Sequence, residues 1–213
     1  PQAYPDFAIS GQRWDGTYAE GCVDTVGEDA FACGEQIFWQ ALQFETTKRR
    51  ELWAQLQAHN ARLLEAGELE PKWLAVLYWR SAQLGVAYLT EQVLSQIESA
   101  TPGELAEIGL PAQQDVAQAH LLDPENVEIE SWKVMLEGSS AEYLGQDRAA
   151  YVERLYELYE ENPPFVLASF LGMASGMSRS SPWPEIAAQA IEDTEALCET
   201  EDCAVMYSEH APW

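Results

Sequence analysis

Positive charge is what this sequence has least of. Eleven residues are Lys or Arg against 36 Asp or Glu, a formal net charge of −25, and only Lys48, Lys72 and Lys133 are lysines. A surface this negative repels phosphate backbones and anionic lipid headgroups, because both are bound through the Lys and Arg that neutralise them. Nucleic acid and membrane surfaces are therefore poor partners. Long apolar runs are missing too. The most apolar stretch, Trp73–Leu89, is interrupted by Arg80, Ser81 and Gln83, and falls short of the roughly 20 apolar residues that span a bilayer. Histidine is scarce: His59, His120 and His210 each lack a second His or Cys one helical turn away, so no metal site is written in the sequence and each reads as a surface residue. There is no G-x-S-x-G, no phosphate-binding glycine loop and no dinucleotide fingerprint, which removes the usual support for triad hydrolases and nucleotide chemistry. No cofactor is expected.

What is present argues for a packed protein. The 213 residues are 47% hydrophobic and include eight Trp, nine Tyr and six Phe. A chain of this length can bury roughly 70% of its unfolded surface without a metal or a dense disulfide network. The acidic excess reads first as a solubility device and second as a surface for a basic partner. Four cysteines occupy polar surroundings, Cys22 and Cys33 near the start and Cys198 and Cys203 near the end. Neither spacing matches zinc ligands. The local pairing, Cys22–Cys33 and Cys198–Cys203, is the expectation, each bridge stapling one end of the fold. The chain opens at Pro1 with no basic-then-apolar leader. The expectation is a removed signal sequence and an oxidising, extracytoplasmic (periplasmic or secreted) location. Asp24, Glu28 and Asp29 around Gly27 offer oxygen ligands for Ca²⁺ without the EF-hand spacing. Acidic loop residues account for them equally well.

Residues 1–33 read as an irregular, disulfide-stapled arm, punctuated by Pro1, Pro5, Gly11, Gly16, Gly21 and Gly27. Residues 34–213 read as a single all-α domain. Ile37, Phe38, Ala41 and Leu42, then Leu52, Trp53, Leu56, Leu63 and Leu64, recur at three- and four-residue spacing, with an interruption at Thr46–Arg49. Gly67 closes that helix and Pro71 opens the next, which is apolar nearly all round and so is the buried central helix. Arg80 within it needs a carboxylate partner. Thr101-Pro102-Gly103-Glu104 is a capping-box start signal. Further helices are predicted near 111–122, 125–138, 140–161, 164–177 and 184–199, with Trp53, Trp73 and Trp79 in the core.

Ala112, Val116, Ala119 and Pro124, followed by Gly138, Gly145, Ala150, Leu155 and Pro163, resemble the packing positions and terminal prolines of tetratricopeptide (TPR) repeats over about residues 105–180. The resemblance implies antiparallel helical hairpins whose concave face binds a peptide, protein or small ligand, with no chemistry. A non-repetitive helical bundle is the alternative architecture. Candidate binding residues on the hairpins are Trp132, Tyr143, Tyr151 and Glu161.

A second resemblance is carried by Glu161-Asn162-Pro163 with Ala168, Ser169, Gly172, Ala174, Gly176 and Met177. It looks like the catalytic stretch of a soluble lytic transglycosylase, in which Glu161 would be the acid that protonates a glycosidic oxygen from an apolar groove. The other reading is a small-residue helix face, Ala168, Gly172, Ala174 and Gly176, pressed against a neighbour. The function expected is that of a non-catalytic protein-binding or assembly component. Its partner would be another protein with a basic surface in the cell envelope.

Overall fold

A computed structural model describes Cys22 and residues 25–43, 46–96, 101–174, 176–178 and 180–198. The protein is all-α: the described residues form eight helices and no strand. They are α1 (Gly27–Gln43), α2 (Thr46–Ala66), α3 (Pro71–Gln96), α4 (Pro102–Leu122), α5 (Val127–Tyr143), α6 (Ala149–Glu161), α7 (Pro163–Ala174) and α8 (Trp183–Cys198). The body expected as one domain over 34–213 divides into two compact units. The first holds the described residues of Pro1–Ser99 with Gln114–Asp123, and the second Ala100–Gln113 with the chain from Pro124 onward. Helix α4 thus supplies residues to both.

In the first unit α1, α2 and α3 pack against one another in all three combinations. Their contact is close because Gly34 presents no side chain to α3; a Cβ there would sit 2.7 Å from Leu77 Cδ2. Phe38, Leu52, Leu56, Leu63, Leu77 and Leu84 fill the interior, joined by Val116 and Ala119 of α4. Trp53 and Trp79 are buried as expected, and Trp73, half-buried, meets Phe31 edge-on at 4.9 Å. Arg80 finds its carboxylate: Nε donates to Glu35 Oε1 at 3.1 Å and a second nitrogen to Gln83. Its guanidinium lies 4.7 Å from the Phe38 ring centre and 5.1 Å from that of Trp79. Aromatic faces and one carboxylate together make the burial of this cation tolerable.

Two boundaries differ from the sequence reading for physical reasons. Helix α1 starts at Gly27, inside the stretch read as irregular. Gly27 has φ +56°, which turns the chain into the helix, and Glu28 and Asp29 fall in its first turn, where carboxylates suit the dipole. The disulfide Cys22–Cys33, with Cα atoms 5.9 Å apart, then ties the approach to α1 onto the helix itself. Closing a loop with a sequence separation of 11 stabilises by about 3 kcal/mol in the chain-entropy picture. Arg62 of α2 holds the same segment by donating to the carbonyls of Cys22 and Thr25. The pairing Cys198–Cys203 and the acid Asp24 lie outside the described residues and side chains. Helix α4, secondly, runs unbroken through Pro111 from Pro102. A proline inside a helix removes one backbone hydrogen bond without obliging the helix to end, and Ala112, Val116 and Ala119 beyond it are all buried.

The second unit is a succession of neighbours: α5, α6 and α7 pack pairwise, and α7 packs on α8. Asn126 caps α5, its Oδ1 accepting from Ile129 N–H at 3.2 Å. Gly138, read as a separator, lies inside α5. Its missing Cβ makes room for Met173 and Tyr151, so it is a close-approach residue and not a break. The turn falls later, at Gly145 with φ +69°. There Gln146 N–H bonds Ala141 O at 2.8 Å, and Asp147 Oδ1 receives Ala149 N–H at the start of α6. Asn162 alone separates α6 from α7, which opens at Pro163. The core is Val152, Leu155, Leu158 and Tyr159 of α6 against Val166, Phe170, Met173 and Ala174 of α7, with Ala187 and Ala190 of α8.

Candidate functional site

The residues expected to bind lie along α5 and α6. Trp132 is half-buried on α5, whereas Tyr143 is the last residue of that helix and its side chain lies outside those described. Tyr151 packs into the core beside Gly138, and Glu161 is exposed at the other end of α6. At 1.5 Å per residue, Tyr151 and Glu161 stand about 15 Å apart along the axis.

The stretch resembling a transglycosylase is engaged in packing. Ser131 donates to Glu128 O at 2.8 Å, so the contact with Ser169 Oγ at 3.1 Å has Ser169 as donor. Both serines are buried. Gly176 and Met177 receive Arg148: an added Cβ on Gly176 would lie 2.7 Å from its guanidinium, and its Nε reaches Met177 Sδ at 3.1 Å. Arg148 also pairs with Glu142. The small-residue face is close-packed only at its far end, where Ala174 is fully buried and Gly176 meets Arg148. Ala168 and Gly172 are exposed, and only Met135 Sδ, at 3.7 Å, comes near a Cβ placed on Gly172.

Two constellations that the sequence reading missed carry more chemistry. In the second unit the half-buried rings of Tyr156 on α6 and Trp183, the first residue of α8, lie 5.7 Å apart, with Phe170 of α7 beneath both at 5.5 and 6.4 Å. Tyr159 completes the stack at 5.6 Å from Phe170, and its hydroxyl donates to Ala190 O at 3.0 Å, with Thr194 Oγ1 at 3.1 Å. These bonds anchor α8 on α6. Desolvation raises the Tyr156 phenol above its usual value, helped by its hydrogen bond to Glu160 and by the charge of Asp193. The signal in the sequence was Tyr156 on the same stripe as Val152, Leu155 and Tyr159, with Glu160 one turn on.

In the first unit Asp115 of α4 is only 7% exposed. Its Oδ2 accepts from the Ser81 hydroxyl of α3 at 2.6 Å and from Gln57 Nε2 of α2 at 2.9 Å. The Trp53 indole N–H donates to Ser81 Oγ at 3.1 Å. Burial pushes the Asp115 carboxyl up, against the hydrogen bonds from Ser81, Gln57 and Trp53 that hold it down. The neighbouring Tyr78 phenol is raised as well, by burial first and then by the charge of Asp115. Asp115 shares the stripe of Ala112, Val116 and Ala119, and an acid on an apolar stripe was the available signal. His59 is buried as well, which corrects its reading as a surface residue. Its Nε2 faces Ala30 O at 2.8 Å and must donate, so Nδ1 accepts from Arg62 at 3.3 Å. That neutral tautomer agrees with a pKa lowered by burial. Among the described residues no group of three His, Cys, Asp or Glu is arranged to hold a metal ion.

The chain matches no family profile, no curated protein and no solved structure. Its own side chains therefore carry the functional argument. No described helix is long and apolar enough to cross a membrane.

Proposed function

We propose that this chain is a non-catalytic protein-binding or assembly component that works outside the cytoplasm, built of TPR-like helical hairpins and addressed to a partner with a basic surface. One observation carries the reading. In the second unit the hairpin helices bury their apolar residues against each other, and every described cation there is already engaged with an acid of the same unit. Lys133 pairs with Glu137, Arg148 with Glu142, and Arg154 with Glu130 and Glu157. What faces outward is net negative, which is the complement of a basic surface and steers its approach. The Cys22–Cys33 disulfide supports the extracytoplasmic location, since such bonds persist in oxidising compartments. The exposure of Glu161 supports a role without glycosidic chemistry, which needs its acid desolvated.

The test is binding of basic and acidic envelope proteins to the purified chain at low and high salt. Basic partners should be retained at low salt and released as salt rises. A partner held equally at both, or preference for acidic proteins, would overturn the reading. Peptidoglycan incubated with the chain should release no soluble product; release that Glu161→Gln abolishes would establish the transglycosylase alternative.

A further inference from the structure

The aromatic seam of α6 and α8 gives that reading, on which this inference rests, a specific address. Helical spacing puts Glu153, Tyr156 and Glu160 on one stripe of α6, and Trp183, Ile186 and Asp193 on one stripe of α8. The Tyr156 and Trp183 rings meet between the two helices at 5.7 Å, and both remain half-open to solvent over the Phe170 floor. Glu153, Glu160 and Asp193 are exposed around them. None of the ion pairs among the described residues of this unit, which occupy Lys133, Arg148 and Arg154, involves any of these three acids. Gln189 orients one of them, its amide donating to Asp193 Oδ1 at 2.8 Å.

Two partly exposed rings, rimmed by carboxylates that no described cation pairs with, suit a positive group that is planar or weakly hydrated. Such a group gains from the ring quadrupoles and from the acids together. We infer that Tyr156, Trp183, Glu160 and Asp193 form the docking site for an arginine or lysine side chain of a basic polypeptide segment on a partner protein. A second copy of this chain is a poor occupant, because at a net charge of −25 two copies repel each other and the described cations of this unit are already paired. Arginine should be preferred over lysine, since its guanidinium stacks on rings while bonding a carboxylate in its own plane.

The experiment measures fluorescence anisotropy of three fluorescein-labelled Gly-Ser peptides carrying arginines, lysines or glutamates, titrated with the intact disulfide-bonded chain. The wild type should bind the arginine peptide most tightly, the lysine peptide less tightly and the glutamate peptide not at all. The double variant Glu160→Gln/Asp193→Asn removes only exposed charge and should weaken arginine-peptide binding roughly tenfold or more. Tyr156→Leu, which keeps apolar volume on the core, should weaken it by about three- to tenfold. The control double variant Glu65→Gln/Glu68→Gln removes the same charge from exposed positions in the first unit and should change affinity by less than about twofold. Equal losses in both double variants would overturn the site while leaving a basic partner in place. A wild type that binds none of the peptides, or binds tetramethylammonium and not the arginine peptide, would overturn the assignment to a polypeptide side chain. Circular dichroism of Tyr156→Leu separates lost binding from lost folding, and the two acid variants test the site even if that variant unfolds.

Discussion

Asp115 shows how a single residue can join helices and tie their stability to pH. Its carboxylate accepts from Ser81 on α3 and Gln57 on α2 while buried on α4, and its donors among the described residues are all neutral. Neutral donors soften the burial of a charge but do not cancel it. The folded-state pKa is therefore above the unfolded value of about 3.9. For a raised acid, the stabilising contribution is present below the unfolded pKa and is lost as pH rises through the folded one. Asp115→Asn keeps the shape and removes the titration. The melting temperature of the wild type should accordingly gain on that of Asp115→Asn as pH falls from neutral to about pH 4. Melting curves of the two proteins in a pH series check this; a constant difference would show that the carboxyl is not desolvated as described. His59, held neutral by Ala30 O and Arg62, offers a lone pair only at Nδ1, where Arg62 already donates.

Two glycines within helices behave differently, although sequence propensity treats them alike. Replacing a helical glycine by alanine is worth up to about 1 kcal/mol in propensity. At Gly172 of α7 the new Cβ meets only Met135 Sδ, in ordinary contact at 3.7 Å, so Gly172→Ala should raise stability by nearly that amount. At Gly138 of α5 the Cβ would lie 2.5 Å from Met173 Cε and 2.9 Å from Tyr151 Cβ. Met173 can shift its methyl, but a Cβ moves only with its backbone. The strain, about 1–3 kcal/mol, should exceed the propensity gain, so Gly138→Ala should be destabilising by about 1–2 kcal/mol. Chemical denaturation of the two variants measures both signs. Stabilisation at Gly138 would mean that α5 and α6 can separate without penalty.

The charge acts at the scale of the whole molecule. With 36 acidic residues and 11 Lys or Arg, self-repulsion works against the compact state, and the ion pairs at Glu51, Glu137 and Glu157 are solvent-exposed and worth little each. Salt should therefore stabilise this protein: screening weakens many repulsions and only a few attractions. The melting temperature should rise by several degrees between low and moderate sodium chloride, a shift that for a chain of this size corresponds to about 1–2 kcal/mol. A melting temperature that falls on adding salt would show that specific ion pairs outweigh the general repulsion. The same screening should weaken a basic partner's approach, so folding and binding should respond to salt in opposite directions.

The all-α class, the turn at Gly67, the helix start at Pro71, the partner required by Arg80 and the local pairing of Cys22 with Cys33 were legible in the sequence. All of these follow from local rules of period, backbone conformation and short loop closure. The passage of α4 through Pro111 and the place of Gly138 inside α5 were decided by tertiary structure. In both cases packing outweighed a residue's preference for ending a helix. The candidate sites depended on it further. Asp115 acquires its character from donors on α2 and α3, and Tyr156 meets Trp183 only because Tyr159 fixes α8 beside α6. Residues 27 to 58 positions apart in sequence leave no local trace of their meeting. Charge and periodicity are sums over neighbours along the chain, whereas a site is a coincidence of distant side chains that only the folded packing brings about.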